Sequence, residues 1–118
     1  MPREERLVIF DHAEAYKAIF TLCVQKQLRE PPPGSIAAIE AMAAQSAMVL
    51  KIMNPQNGAA ADCEYSCEFV TAALILYCRM CRIPLPKRGR KAVEIAGEDI
   101  ILRVRIDAER TAKPVVTS

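Results

Sequence analysis

The sequence predicts an α+β domain: three helices packed on a small antiparallel sheet that contains a C-terminal β-hairpin. Three observations predict it. An apolar stripe at helical spacing follows Asp11, a helical segment apolar over about two-thirds of its circumference runs from Asp62 to Arg82, and AVEIAGEDIILRVRI alternates about a Gly-Glu turn. A helical bundle with a hairpin appendage is the alternative. At 118 residues the chain has the size of one domain and can bury a core without staples. The expected domain spans 1–107, with a polar, disordered tail over 108–118 and no internal repeat.

Leu7 to Phe10 is a short apolar run expected to form an edge strand, after a charged and frayed Met1 to Arg6. Asp11 followed three residues later by Glu14 forms the signature of a capping box and opens a helix to about Leu28. Its apolar side carries Ala15, Tyr16, Ile19, Phe20, Leu22 and Cys23, and PPPG at Pro31 to Gly34 stops it. Ser35 is expected to cap a second helix through the alanine-rich IAAIEAMAAQ. Met48 to Met53 reads as the strand that the hairpin needs as a partner, and NPQNGAAAD as a loop.

Asp62 is expected to cap the third helix, with Glu64 and Glu68 near its positive end and Arg79 and Arg82 near its negative end. About two-thirds of its circumference is apolar, which makes it the centre of the fold. In the hairpin, Gly97-Glu98 suits a type II′ turn, setting Ile95 opposite Ile100 and Val93 opposite Leu102. Val104 and Ile106 share that face, while Glu94, Arg103 and Arg105 take the other.

Aromatics make up only 5%, so the core must be aliphatic. A formal charge of +2 is too small to draw a polyanion to the whole surface, and any such partner must be held by a local patch. MPREERLVIF carries no secretory pattern, and the longest apolar stretch, Phe69 to Cys78, is half of what a bilayer span needs. The expectation is a cytoplasmic protein with reduced thiols.

Cys63, Cys67, Cys78 and Cys81 are spaced in a way that resembles a zinc ribbon. If the intervening segment is helical, Cys67 and Cys78 stand about 16 Å apart along its axis, too far for one tetrahedral ion. The Cys78–Cys81 pair sits in the last turns of a helix, where the dipole disfavours the thiolate that redox pairs need. These cysteines therefore read as small core residues, with no metal and no cofactor. His12, the only histidine, reads as a packed ring beside a capping Asp11 rather than a catalytic base.

The strongest hint of function is the basic run. Arg79, Arg82, Lys87, Arg88, Arg90 and Lys91 are cations with no acid among them, and Arg103 and Arg105 extend the set on the hairpin. No aromatic is interleaved for base stacking. The sequence thus predicts a small non-enzymatic interaction protein, homodimeric because its central helix needs cover on several sides. The alternative is a nucleic-acid-binding or regulatory module acting through residues 79–91.

Overall fold

The structure, a computed structural model, describes residues 3–107. It is α+β, with two antiparallel three-stranded sheets and two α-helices among the described residues. The order is β1 (Arg3–Phe10), α1 (His12–Gln25), β2 (Ser35–Met42), β3 (Ala47–Met53), β4 (Ala60–Ser66), α2 (Cys67–Met80), β5 (Arg90–Ala96) and β6 (Asp99–Asp107). One sheet runs β1-β6-β5 and the other β2-β3-β4.

Helix α1 forms as the capping box predicts. The Asp11 carboxylate accepts from Glu14 N at 2.8 Å, and Glu14 Oε1 accepts from Asp11 N at 3.0 Å. The hairpin keeps its expected register, Val93 against Leu102 and Ile95 against Ile100. Gly97 has φ 62, and among the described residues Glu98 is not in the left-handed region, which fits the predicted type II′ turn.

Met48 to Met53 is strand, in β3, but it does not partner the hairpin: β3 pairs with β2 and β4 in the other sheet, and the hairpin's partner is β1. Four further expectations are corrected. The alanine-rich segment after Ser35 is strand β2, not a helix. Helix propensity was outweighed by the hydrogen-bonding ladder with β3 and by Ile36 and Ile39, which meet Ile52 and Leu50 on one face. Asp62 does not open α2. It lies in β4, opposite Lys51, and Ser66 caps the helix by accepting from Phe69 N at 3.0 Å. Arg3 to Arg6 are not frayed, because β6 extends past its hairpin partner and offers β1 a second edge from Arg3 opposite Asp107 to Phe10 opposite Ile100. The expected tail at 108–118 lies outside the described residues.

The fourth correction concerns repetition. The halves β1-α1-β2-β3 and β4-α2-β5-β6 have the same element order, and each half lends its first strand to the hairpin of the other. The match reaches backbone detail at a spacing of 55 positions. Leu28 N donates to Cys23 O and Gln27 N to Val24 O, while Ile83 N donates to Cys78 O and Arg82 N to Arg79 O. These are the same helix stop, with Gln27 (φ 56) and Arg82 (φ 57) both in the left-handed region. Gly34 and Gly89 then turn the chain at equivalent places, each tight against a backbone carbonyl of its hairpin, Met53 O and Arg105 O. Side chains obscure the repeat, since few positions besides Ala18/Ala73, Cys23/Cys78, Pro31/Pro86 and Gly34/Gly89 keep the same residue.

The core lies between the helices and the inner faces of both sheets. Ala15, Ala18, Ile19 and Cys23 of α1 and Val70, Ala73, Leu74 and Cys78 of α2 are buried with Met48, Leu50, Ile52, Ile100, Leu102 and Val104. Thus α1 covers much of the apolar surface of α2, cover that the sequence reading had sought from a second copy.

Candidate anion-binding surface

The basic segment begins where α2 ends. Arg79 lies in the last turn, where a cation complements the partial negative charge of the helix terminus. Arg82 occupies the left-handed position that closes the helix. From there Ile83, Leu85 and Pro86 are half-buried and pin the chain to the body of the protein, while Lys87, Arg88 and Arg90 stay exposed. Arg6 of β1 holds the segment from outside, its guanidinium donating to Pro84 O at 2.8 Å.

The eight cations named from the sequence divide into three groups. Arg79, Arg82, Lys87, Arg88 and Arg90 are exposed and make no ion pair among the described residues. Lys91 opposes Val104 on the inner face of its sheet and is half-buried, so it does not stand with its neighbours. Arg103 and Arg105 lie on the outer face and are already engaged. Arg103 pairs with Glu94 at 2.6 Å and Glu5 at 3.3 Å, and Arg105 with Glu5 at 3.0 Å.

That network ties β1, β6 and β5 together across their outer face. The hydrogen bond from Arg105, with Arg103 beside it, holds the Glu5 carboxyl below its usual range, and Arg103 does the same for Glu94. A carboxyl with a depressed native pKa stabilises the fold above its unfolded value, here 4.5, and that contribution is lost as pH falls through the native value. Acid unfolding should therefore start at higher pH in Glu5→Gln than in the wild type, as read by circular dichroism from pH 6 downward (~ within the carboxylate range). Identical acid transitions would show that the network contributes nothing measurable, as many exposed pairs do.

The cysteines are distributed through the fold. Cys63 is on β4 and Cys67 opens α2, while Cys78 is fully buried and Cys81 is exposed just past the helix. Burial pushes the thiols of Cys23, Cys63 and Cys78 up. No cluster of three or more His, Cys, Asp or Glu side chains among the described residues is placed to hold a metal ion. His12 packs against the first half, its Nδ1 donating to Ile36 O at 3.1 Å, while Nε2 is buried without a hydrogen-bond partner.

A feature the sequence reading missed is an apolar groove of about 270 Å³ between the helices, lined by Tyr16, Lys17, Phe20, Thr21, Tyr77 and Met80. Tyr16 and Phe20 belong to the apolar side of α1 by their spacing. Both are half-buried, at the margin of the core. No helix among the described residues is long and apolar enough to cross a membrane. No family model, curated protein or solved structure matches the chain.

Proposed function

We propose that the protein is a non-enzymatic binding module whose working surface is the basic segment Arg79–Arg90, and that the segment engages a polyanion such as the backbone of a nucleic acid. One observation carries this reading. The fold contains an internal control for the turn at Lys87–Arg90, because its counterpart in the first half performs the same turn without charge. Pro32, Pro33, Gly34 and Ser35 stand where Lys87, Arg88, Gly89 and Arg90 stand 55 positions later. Turning into the hairpin therefore does not require cations, although the helix stop before that turn carries Lys26, Arg29 and Glu30 in the first half. The presence of Lys87, Arg88 and Arg90 at one of the two turns only, exposed and without acidic partners among the described residues, supports a use outside the fold.

The chemistry favours backbone contact over base readout. Five flexible cations on a helix end and a loop can neutralise phosphates, but the segment brings no aromatic platform on which a base could stack. A non-enzymatic role is supported by the engagement of His12 with a backbone carbonyl and by the raised thiols.

The test is anisotropy titration of labelled single- and double-stranded oligonucleotides across salt concentrations, with heparin as a generic polyanion. Replacing Lys87, Arg88 and Arg90 together by Ser, leaving half-buried Lys91 in place, should lower the log-log salt slope by about two to three units. Thermal stability should be unchanged, because exposed loop charges contribute little to it. Absence of binding to any of the three probes at physiological salt rejects the proposal. So does binding with a slope unaffected by the triple substitution.

A further inference from the structure

The two sheets end in four edge strands, and three of them carry the charges that discourage edge-to-edge pairing. β1 has Arg3, Glu4, Glu5 and Arg6, β4 has Asp62 and Glu64, and β5 has Arg90, Lys91 and Glu94. β2, SIAAIEAM, has only Glu40. Among the described residues its sole hydrogen-bonded strand neighbour is β3, and Ala37, Ala38, Glu40 and Ala41 are exposed. His12 occupies the Ile36 carbonyl, and an irregularity lies between Ile36 and Ala38, so the strand is open from Ala38 onward.

We propose that β2 is an interface strand and that its occupant is β2 of a second copy of this chain, paired antiparallel about Ile39. The inference is independent of the polyanion reading, which concerns the other half of the molecule.

Charge complementarity selects this register. A two-fold axis perpendicular to the sheet keeps outer faces outer, and with Ile39 opposite its own counterpart it sets Glu40 against the second copy's Ala38. Within each copy Ala38 lies beside Lys51 of β3 on that outer face. Glu40 and the second copy's Lys51 are then two strand spacings apart, about 10 Å between backbones, with only an alanine methyl between them. The two long side chains meet over that methyl, and the axis makes the contact twice. Neither Glu40 nor Lys51 has an ion-pair partner among the described residues. Moving the register to place Glu40 against its own counterpart would oppose like charges directly. On the inner face Ile39, half-buried in one copy, meets Ile39 of the other. The product is a six-stranded sheet with an isologous interface, which closes and cannot propagate.

Sedimentation equilibrium of the full chain with a charge-swap pair tests the proposal. The wild type should self-associate reversibly to a dimer. Glu40→Lys should weaken it, as should Lys51→Glu, each by about ten-fold in Kd, and the double variant should recover most of the loss. Lys51→Glu also sets a carboxylate opposite Asp62 in its own sheet, so Glu40→Lys is the cleaner single variant, and melting curves confirm that each is folded. Ile39→Lys, which opposes two cations on the axis, should abolish the dimer. A wild type that stays monomeric up to about 100 µM overturns the proposal, since no specific interface of this size is then formed. A dimer indifferent to Glu40→Lys and Ile39→Lys overturns it equally.

Discussion

Gly34→Ala should destabilise the protein by about 3 kcal/mol, whereas Gly58→Ala should cost no more than about 1 kcal/mol. Both glycines have positive φ, 142 and 69, so both pay a backbone penalty. The difference lies in what an added methyl would meet. At Gly34 it would sit 2.4 Å from Met53 O and 2.8 Å from Met53 C, backbone atoms already held in the β3 ladder. At Gly58 nothing lies within 4 Å. Thermal unfolding measures the contrast, and a domain of this size should lose roughly 4–8 °C for each kcal/mol. Equal melting temperatures for the two variants would show that the close approach at Gly34 is not a constraint. Gly89→Ala should behave like Gly34→Ala, since its methyl would meet Arg105 O at 2.8 Å and its φ is 116.

Leu74→Ala should cost about 2–5 kcal/mol, the range for a fully buried leucine whose cavity cannot collapse. Leu74 is 0% exposed, in the middle of α2, and occupies the place that Ile19 holds in α1. The buried cluster it belongs to draws on both helices and both sheets, so no single element can shift to refill the space. Leu7→Ala, on the outer face of β1 and 47% exposed, is the companion measurement and should stay within about 1 kcal/mol of the wild type. Urea unfolding with an unchanged m-value would attribute the loss to the native core. A Leu74→Ala cost similar to that of Leu7→Ala would contradict the placement of the core.

Particular residues show why some of this fold can be read from the chain and some cannot. The Asp11–Glu14 capping box and the Val93–Leu102 and Ile95–Ile100 pairs were legible because each depends on neighbours a few positions away. Local sterics and a two-residue turn decide them. The start of α2 was misplaced because Asp62 and Ser66 are both good caps, and the choice between them is made by β3, whose pairing runs from Met53 opposite Ala60 to Ala47 opposite Ser66. The candidate site divides in the same way. That Arg79 to Lys91 form a basic run is plain in the sequence. That Arg103 and Arg105 are neutralised by Glu94 and Glu5, and that Lys91 turns inward, depends on strand register.

By itself the sequence determined the α+β class, the first helix, the hairpin and its faces, an aliphatic core and a local concentration of positive charge. These follow from short-range periodicity, turn chemistry and composition, which act before any distant contact forms. The tertiary structure decided that SIAAIEAM is a strand, since a ladder with β3 offers its backbone groups partners and its isoleucines burial that an isolated alanine-rich helix would lack. It also decided that the chain is two halves of one topology, each completing the sheet of the other. Side chains differ between the halves while element order, helix stops and sheet completion match, because the repeat is written in backbone hydrogen bonds and two glycine turns. Those constrain shape far more tightly than they constrain residue identity.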